Sequence, residues 1–456
     1  MSGKGGPAAA GVLVGVLMAW LGVLSPLGAT PPGRLTAVHS PPALVVDGEV
    51  TDLSILIGCP WSSENEDRRR SVDHTCDLTV TLWLRDGRTG TFTPIDLEAK
   101  GDPWLRHYVV RGTERLDGSA YWFEVTDKSS GQKVTLPAEG AAHPFRLWVP
   151  DPEHMTRVAL PLAEHEWKTT AETVAHLPWG SGESAVGLSV PPPGADGEIY
   201  GPQSLDVAPD GTVLLLDTVN RRALSIGHGR PPSVLVEGLS PASLDIAADA
   251  SGALVLAAPG GRASIRSFGL DGTEESAIEL PLEQRPTAIT MTPAGVFAQS
   301  LATDMWMDLS SASQDKNSPG RNAAPVESPG RPVAGGASLV TRVAGDELRV
   351  AEIQGDRIIR WWSVTDPDGT MGPLMDVSVD NGVLTFVTFE AGENSDEFLA
   401  VRVDKSGALR SILLDAGGAV AVRTNRPIRI AGNAIYQMDP SSAGVDILRY
   451  DLGGSE

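Results

Sequence analysis

The 456-residue chain sets 36 Lys and Arg against 58 Asp and Glu, a formal net charge of −22 with a pI near 4.7. That balance argues against nucleic acid and anionic membrane surfaces as partners, since both require a basic footprint that neutralises phosphate. At roughly one domain per 150 residues the length implies two or three domains, and 50 Gly with 35 Pro point to turn-rich all-β structure.

In chain order, residues 1–29 have the form of a secretory signal: Lys4, an apolar run over 11–24, and Leu27-Gly28-Ala29 before Thr30. The apolar run is shorter than the roughly 20 residues of a spanning helix, so cleavage after Ala29 is expected, with an uncleaved anchor as the rival. No later segment is expected to span a membrane in the mature chain. The protein is then secreted or held in the cell envelope.

Residues 30–41 are rich in Pro and small side chains and read as a linker. Over 42–150 come strand-length runs at 43–47, 53–59, 76–85, 91–97, 105–111, 120–126, 133–136 and 145–149, bounded by Gly, Asp, Pro or Ser. Such spacing predicts a β-sandwich of about seven strands. Cys59 and Cys76 are the only cysteines, and in an exported chain they are expected to form one disulfide that stabilises the domain by about 3 kcal/mol. A metal site would need more ligands than His74, the one histidine nearby.

Residues 151–183 form a charged connector. Its His165-Glu166 pair does not extend to H-E-x-x-H, because Thr169 stands where the second His is required. From 184 to 456 the sequence repeats at about 40 residues, with copies opening at Gly201, Ser240, Arg285, near Gly336, near Gly372 and at Pro427. The last copy has three strands, and residues 184–190 lie upstream without a copy of their own. We expect 184–190 to supply the missing outer strand and close a six-bladed β-propeller, removing the open edges. The Ser- and Pro-rich stretch 310–335 reads as a long loop.

The motif Leu116-Asp117-Gly118-Ser119-Ala120-Tyr121-Trp122-Phe123 resembles the entry to a late strand of fibronectin-type and immunoglobulin-like domains, with Tyr121 and Phe123 facing the core. The run Gly201-Pro202-Gln203-Ser204-Leu205-Asp206-Val207, followed by Asp217, Asn220 and Arg222, resembles an NHL repeat. The two resemblances imply an all-β chain: an Ig-like sandwich followed by an NHL-like propeller.

Propeller enzymes of this wider group suggest chemistries to test. A histidine-held zinc, as in amidating lyases, is excluded because His228 is the only histidine in 184–456. Asp206, Asp245 and Asp376 recur in the first strands of three repeats and are expected to converge on the central channel. Converging carboxylates repel unless a cation, a proton or an arginine intervenes, so they are candidates for a Ca²⁺ site or for hydrogen bonding to neighbouring N–H groups and Arg429. Asp217, Glu352 and Asp439 end second strands, where such an acid fastens the following turn; Asn220 is expected to take the left-handed conformation, and Asp217 to pair with Arg222. Trp361-Trp362 is the candidate ligand contact, since adjacent strand residues face opposite ways. No nucleophile motif is present. The expected role is binding of a protein or glycan partner on a propeller face, the alternative a divalent-cation-dependent hydrolase or lactonase.

Overall fold

In the computed structural model the described residues are 35–45, 50–59, 77–99, 105–111, 118–160, 171–259, 262–280, 286–300, 305–310, 327–355, 357–367, 371–391, 396–414 and 422–453. The expected signal 1–29, Cys76 and the His165-Glu166 pair lie outside them. Cys59 follows the strand Val50–Gly58 and is not a free thiol.

Alternation of apolar and polar residues dictates the first unit. In Val50–Gly58 the side chains of Leu53, Ile55 and Ile57 are buried and the intervening ones face outward; Leu78–Arg85 buries Val80, Leu82 and Leu84 in the same way. Val50–Gly58 lies between Thr36–Val38 and Leu105–Arg111 in a three-stranded sheet, and Leu78–Arg85 pairs with Thr93–Asp96 and Ser119–Asp127 in a second. Tyr121 and Phe123 of the G-x-x-Y-x-F motif face the shared core, as expected, and Val125 beyond it joins them. His39 is sealed among Tyr121, Phe123 and Phe145, with Nδ1 at 2.6 Å from the Ser54 carbonyl and Nε2 at 2.7 Å from the Tyr121 hydroxyl.

Residues 155–453 build six further sheets of four or five strands among the described residues. Three are uninterrupted antiparallel meanders from Ser204–Val207, Ser243–Ala248 and Leu374–Asp380, and a fourth from Pro286–Thr292 has the same order. The first strands pack side by side in sequence, and Ile428–Ala431 contacts both Leu374–Asp380 and Ser204–Val207. The contacts therefore return to their starting point. A closed ring of twisted sheets is a β-propeller.

The closing strand is not the expected one. Glu172–Pro178 pairs antiparallel with Gly444–Asp451 and completes the sheet of Ile428–Ala431, whereas 184–190 contributes only the single bridges Trp179–Val186 and Ser189–Tyr200. Val186 is held by exchange with the 178–180 backbone, and the Gly187 N–H is taken by Asp217, so this segment lacks the free backbone that an outer strand needs. A second upstream strand was not foreseen. Met155–Ala159, inside the stretch read as a connector, pairs in parallel with Arg357–Thr365 and becomes the outer strand of the fourth sheet.

The stretch 310–335 is likewise not all loop. Glu327–Ser328 completes the third sheet and Arg331–Pro332 opens the fourth; residues 311–326 lie outside the described set.

Candidate functional site

The three recurrent aspartates do reach the interior of the ring, where each performs the same task. Asp206 Oδ2 accepts the Ala248 N–H at 2.8 Å, Asp245 Oδ2 accepts the Ile289 N–H at 2.9 Å, and Asp376 Oδ2 accepts the Ile430 N–H at 2.8 Å. In every case a carboxylate on one first strand holds the backbone of the first strand in the next sheet. The recurrence is a set of ring staples.

Their remaining charge is met by arginines. Arg429 Nε stands 3.2 Å from Asp206 Oδ1, and its Nη2 is 3.9 Å from Asp245 Oδ1. Arg426 Nη1 donates to Asp245 Oδ2 at 2.7 Å, Arg331 Nη1 to Asp376 Oδ1 at 2.5 Å, and the Ser204 hydroxyl to Asp245 Oδ1 at 2.5 Å. Burial pushes Asp245 up to about 6 against the pull of Arg429, and Asp206 is raised for the same reason. Burial works against the charge of Arg429, yet Asp206, Asp245 and Asp376 together hold its pKa above the ordinary value.

Of the two readings of Asp206, Asp245 and Asp376, the geometry favours hydrogen bonding and arginine pairing over a calcium site. A cation placed among them would meet Arg331, Arg426 and Arg429, and among the described residues no group of three or more His, Cys, Asp or Glu is arranged to hold a metal. The hydrogen-bonding role weighed beside it is what the geometry contains. Arg429 was foreseen as a partner; Arg331 and Arg426 were not, because one sits in the Ser- and Pro-rich stretch and the other in a turn before the last repeat.

Residues 422–427 also lie across the end of the ring where the first strands begin. The Arg423 and Asn425 N–H groups donate to the Ile199 and Gln203 carbonyls, and the Asn425 side-chain amide donates to Leu244 O at 2.9 Å and Thr287 O at 3.1 Å. One short segment thus bridges three sheets at the mouth. Beside it Tyr200 is 41% exposed and Val190 59%, with the Arg423 guanidinium 6.0 Å from the Tyr200 ring centroid and ion-paired to Glu198.

Trp361 and Trp362 are each only 2% exposed, so neither is available to a ligand. Their side chains do face opposite ways, but both sides are covered. Trp362 packs with Leu348, Val350 and Phe386, whereas Trp361 joins Leu44, Trp148 and Ile353 where the sandwich meets the fourth sheet, and its Nε1 donates to Asp151 O at 3.2 Å.

The turn acids behave as structural groups. Asp217 is fully buried; it accepts the N–H groups of Gly187 and Asn220 and the Asn220 amide, and pairs with Arg222 Nε at 3.1 Å. The left-handed residue of that turn is Arg221, with φ 57°, and not Asn220. Glu352 pairs with Arg360 at 3.4 Å.

No family model matches the chain, nor does any curated protein. Similar solved structures include the PQQ-bound aldose sugar dehydrogenase from Streptomyces coelicolor, at 12% identity over 62% of this chain and 98% of that one, TM-score 0.38. A gluconolactonase from Xanthomonas campestris is 13% identical over 55% and 86%, TM-score 0.32, and a streptogramin B lyase 12% identical over 82% and 98%, TM-score 0.31. These are β-propeller proteins. At such identities and scores no activity carries over, and the architecture of this chain is argued from its own sheets.

Proposed function

We propose that the chain is an extracytoplasmic binding protein, an Ig-like sandwich joined to a six-bladed NHL-type propeller, which presents the mouth of the propeller to a protein or glycan partner. In this reading residues 1–29 are removed on export and Cys59 pairs with Cys76. The supporting observation is the occupation of the channel acids: Asp206, Asp245 and Asp376 are matched by backbone N–H groups and by Arg331, Arg426 and Arg429. A cation-dependent hydrolase needs an ion with an open coordination position, and carboxylates already neutralised in pairs do not supply one. What the mouth offers instead is a surface. Exposed Tyr200 beside Arg423 is the kind of aromatic and guanidinium pair that anchors partners.

The test is metal analysis of the purified mature protein, with melting curves in chelator and in added Ca²⁺. The expected result is no stoichiometric ion and no shift. A stoichiometric ion whose removal lowers the melting temperature, and which is lost in Asp206→Asn, would overturn the reading in favour of the lactonase-like alternative.

A further inference from the structure

The sandwich and the propeller enclose a cleft of about 320 Å³ that none of the foregoing uses. Its lining mixes apolar side chains, Phe145 and Trp148 on the sandwich side and Met305 and Ile353 on the propeller side, with polar ones such as Ser328 and Ser338. Both sides are fixed. Met305 belongs to the sandwich core although it precedes a propeller strand, and Leu44, Trp148 and Trp361 share one cluster across the seam. The Arg342 guanidinium reaches across to the Leu44 carbonyl at 2.6 Å.

One acidic residue lines this cleft. Glu327 sits on Glu327–Ser328, the outer strand of the third sheet, and its backbone register opposite Met307 fixes its position. Burial raises its pKa, and repulsion by Glu139 raises it further. Among the described residues no cation stands within ion-pair distance of it. Of the other ionisable groups on the lining, His143 is exposed and Arg146 is engaged in contacts of its own. The channel differs: there Asp206, Asp245 and Asp376 each have an arginine, whereas here an acid is partly withdrawn from water without one among the described residues.

We propose that this cleft is a binding site for a small organic cation with an apolar body, a primary amine on a compact hydrocarbon, whose ammonium group meets Glu327 while the hydrocarbon covers Phe145, Met305 and Ile353. The volume lies at the lower end of the range for small-molecule sites, which favour seams between domains. An ammonium ion supplies the opposite charge that no described residue gives Glu327, and the apolar part of the lining rewards the hydrocarbon at roughly 25 cal/mol per Å² removed from water. The site is separate from the propeller mouth, and the inference does not depend on the proposed function.

The experiment is isothermal titration of the mature protein at pH 7 with cyclohexylmethylamine and with the neutral isostere cyclohexylmethanol, on wild type and on Glu327→Gln. The amine is expected to bind about tenfold or more tightly than the alcohol, as for a charge-assisted hydrogen bond, and the variant is expected to lose that preference without a fall in its melting temperature. Failure of the amine to bind, equal binding of amine and alcohol, or a preference that survives in Glu327→Gln would overturn the proposal. A second measurement is the pH dependence of amine binding: protonation of Glu327 weakens binding as the pH is lowered in wild type, and the dependence is absent in Glu327→Gln; the same dependence in both overturns the proposal.

Discussion

Acidification should unfold the sandwich through one buried histidine. The Ser54 carbonyl can only accept, so His39 Nδ1 carries the proton and Nε2 accepts from the Tyr121 hydroxyl. Protonating Nε2 would destroy that acceptance and place a charge among Tyr121, Phe123 and Phe145. Burial accordingly lowers the His39 pKa from 6.5 to about 4, with the Ser54 hydrogen bond opposing. The unfolded chain therefore binds the proton first. The stabilisation is complete above pH 6.5 and is lost as the pH falls towards 4, which at 1.36 kcal/mol per unit amounts to about 3 kcal/mol. Asp245 acts in the opposite sense over the same window, so the measured quantity must be a difference. Urea unfolding of wild type and His39→Gln from pH 7.5 to 4 should show the wild-type advantage shrinking by about 3 kcal/mol. An advantage that stays constant within about 1 kcal/mol across that range would refute the tautomer and burial argument.

Asp245 provides the counterpart: its folded value of about 6 lies above the ordinary 3.8, so its contribution falls as the pH rises from about 4 to 6, and Asp245→Asn should flatten that arm of the urea-derived stability profile. Asp217→Ala leaves Arg222 buried without its carboxylate and should cost about 3–5 kcal/mol in denaturant unfolding, far more than Glu352→Ala on the half-exposed Arg360 pair. Gly444→Ala drives a Cβ to 2.2 Å from the Leu177 carbonyl at the ring closure; a loss of about 1–3 kcal/mol, with faster amide exchange in 172–178, is the expected outcome. Trp361→Ala should lower stability by about 3–5 kcal/mol and raise proteolysis near 151–160, since this ring seals the seam and holds Asp151.

Tyr121, Phe123 and the paired Asp217 and Arg222 were readable because each depends on neighbours close in sequence: alternation along one strand, or a turn of a few residues. The aspartates of the channel were half readable. Their recurrence announced a common location, but what meets them is supplied by Arg331 and Arg426, which lie outside the repeat pattern and reach the acids only through the closed ring. Trp361 and Trp362 misled for a related reason. A strand of the fourth sheet has an open side only if nothing pairs or packs there, and both Met155–Ala159 and Trp148 come from about 200 residues upstream. Residues 184–190 read as the closing strand and 172–178 as part of a connector, yet strand order followed the available backbone and not hydrophobicity. Glu327 left no trace in the sequence, because an acid acquires meaning only from the walls around it.

The two upstream strands also give the ring a temporal order. Glu172–Pro178 precedes its partner Gly444–Asp451 by some 270 positions, as the His176 and Asp446 pair records, and Met155–Ala159 waits for Arg357–Thr365. A chain emerging from its N-terminal side therefore exposes both strands while whole sheets form downstream, and contacts of such long range make folding slow. Exposed, unpaired strands invite the wrong neighbour, including the same segment of another copy. The latch that makes the finished ring resistant to opening is thus also the step at which an unfinished one is most exposed to aggregation.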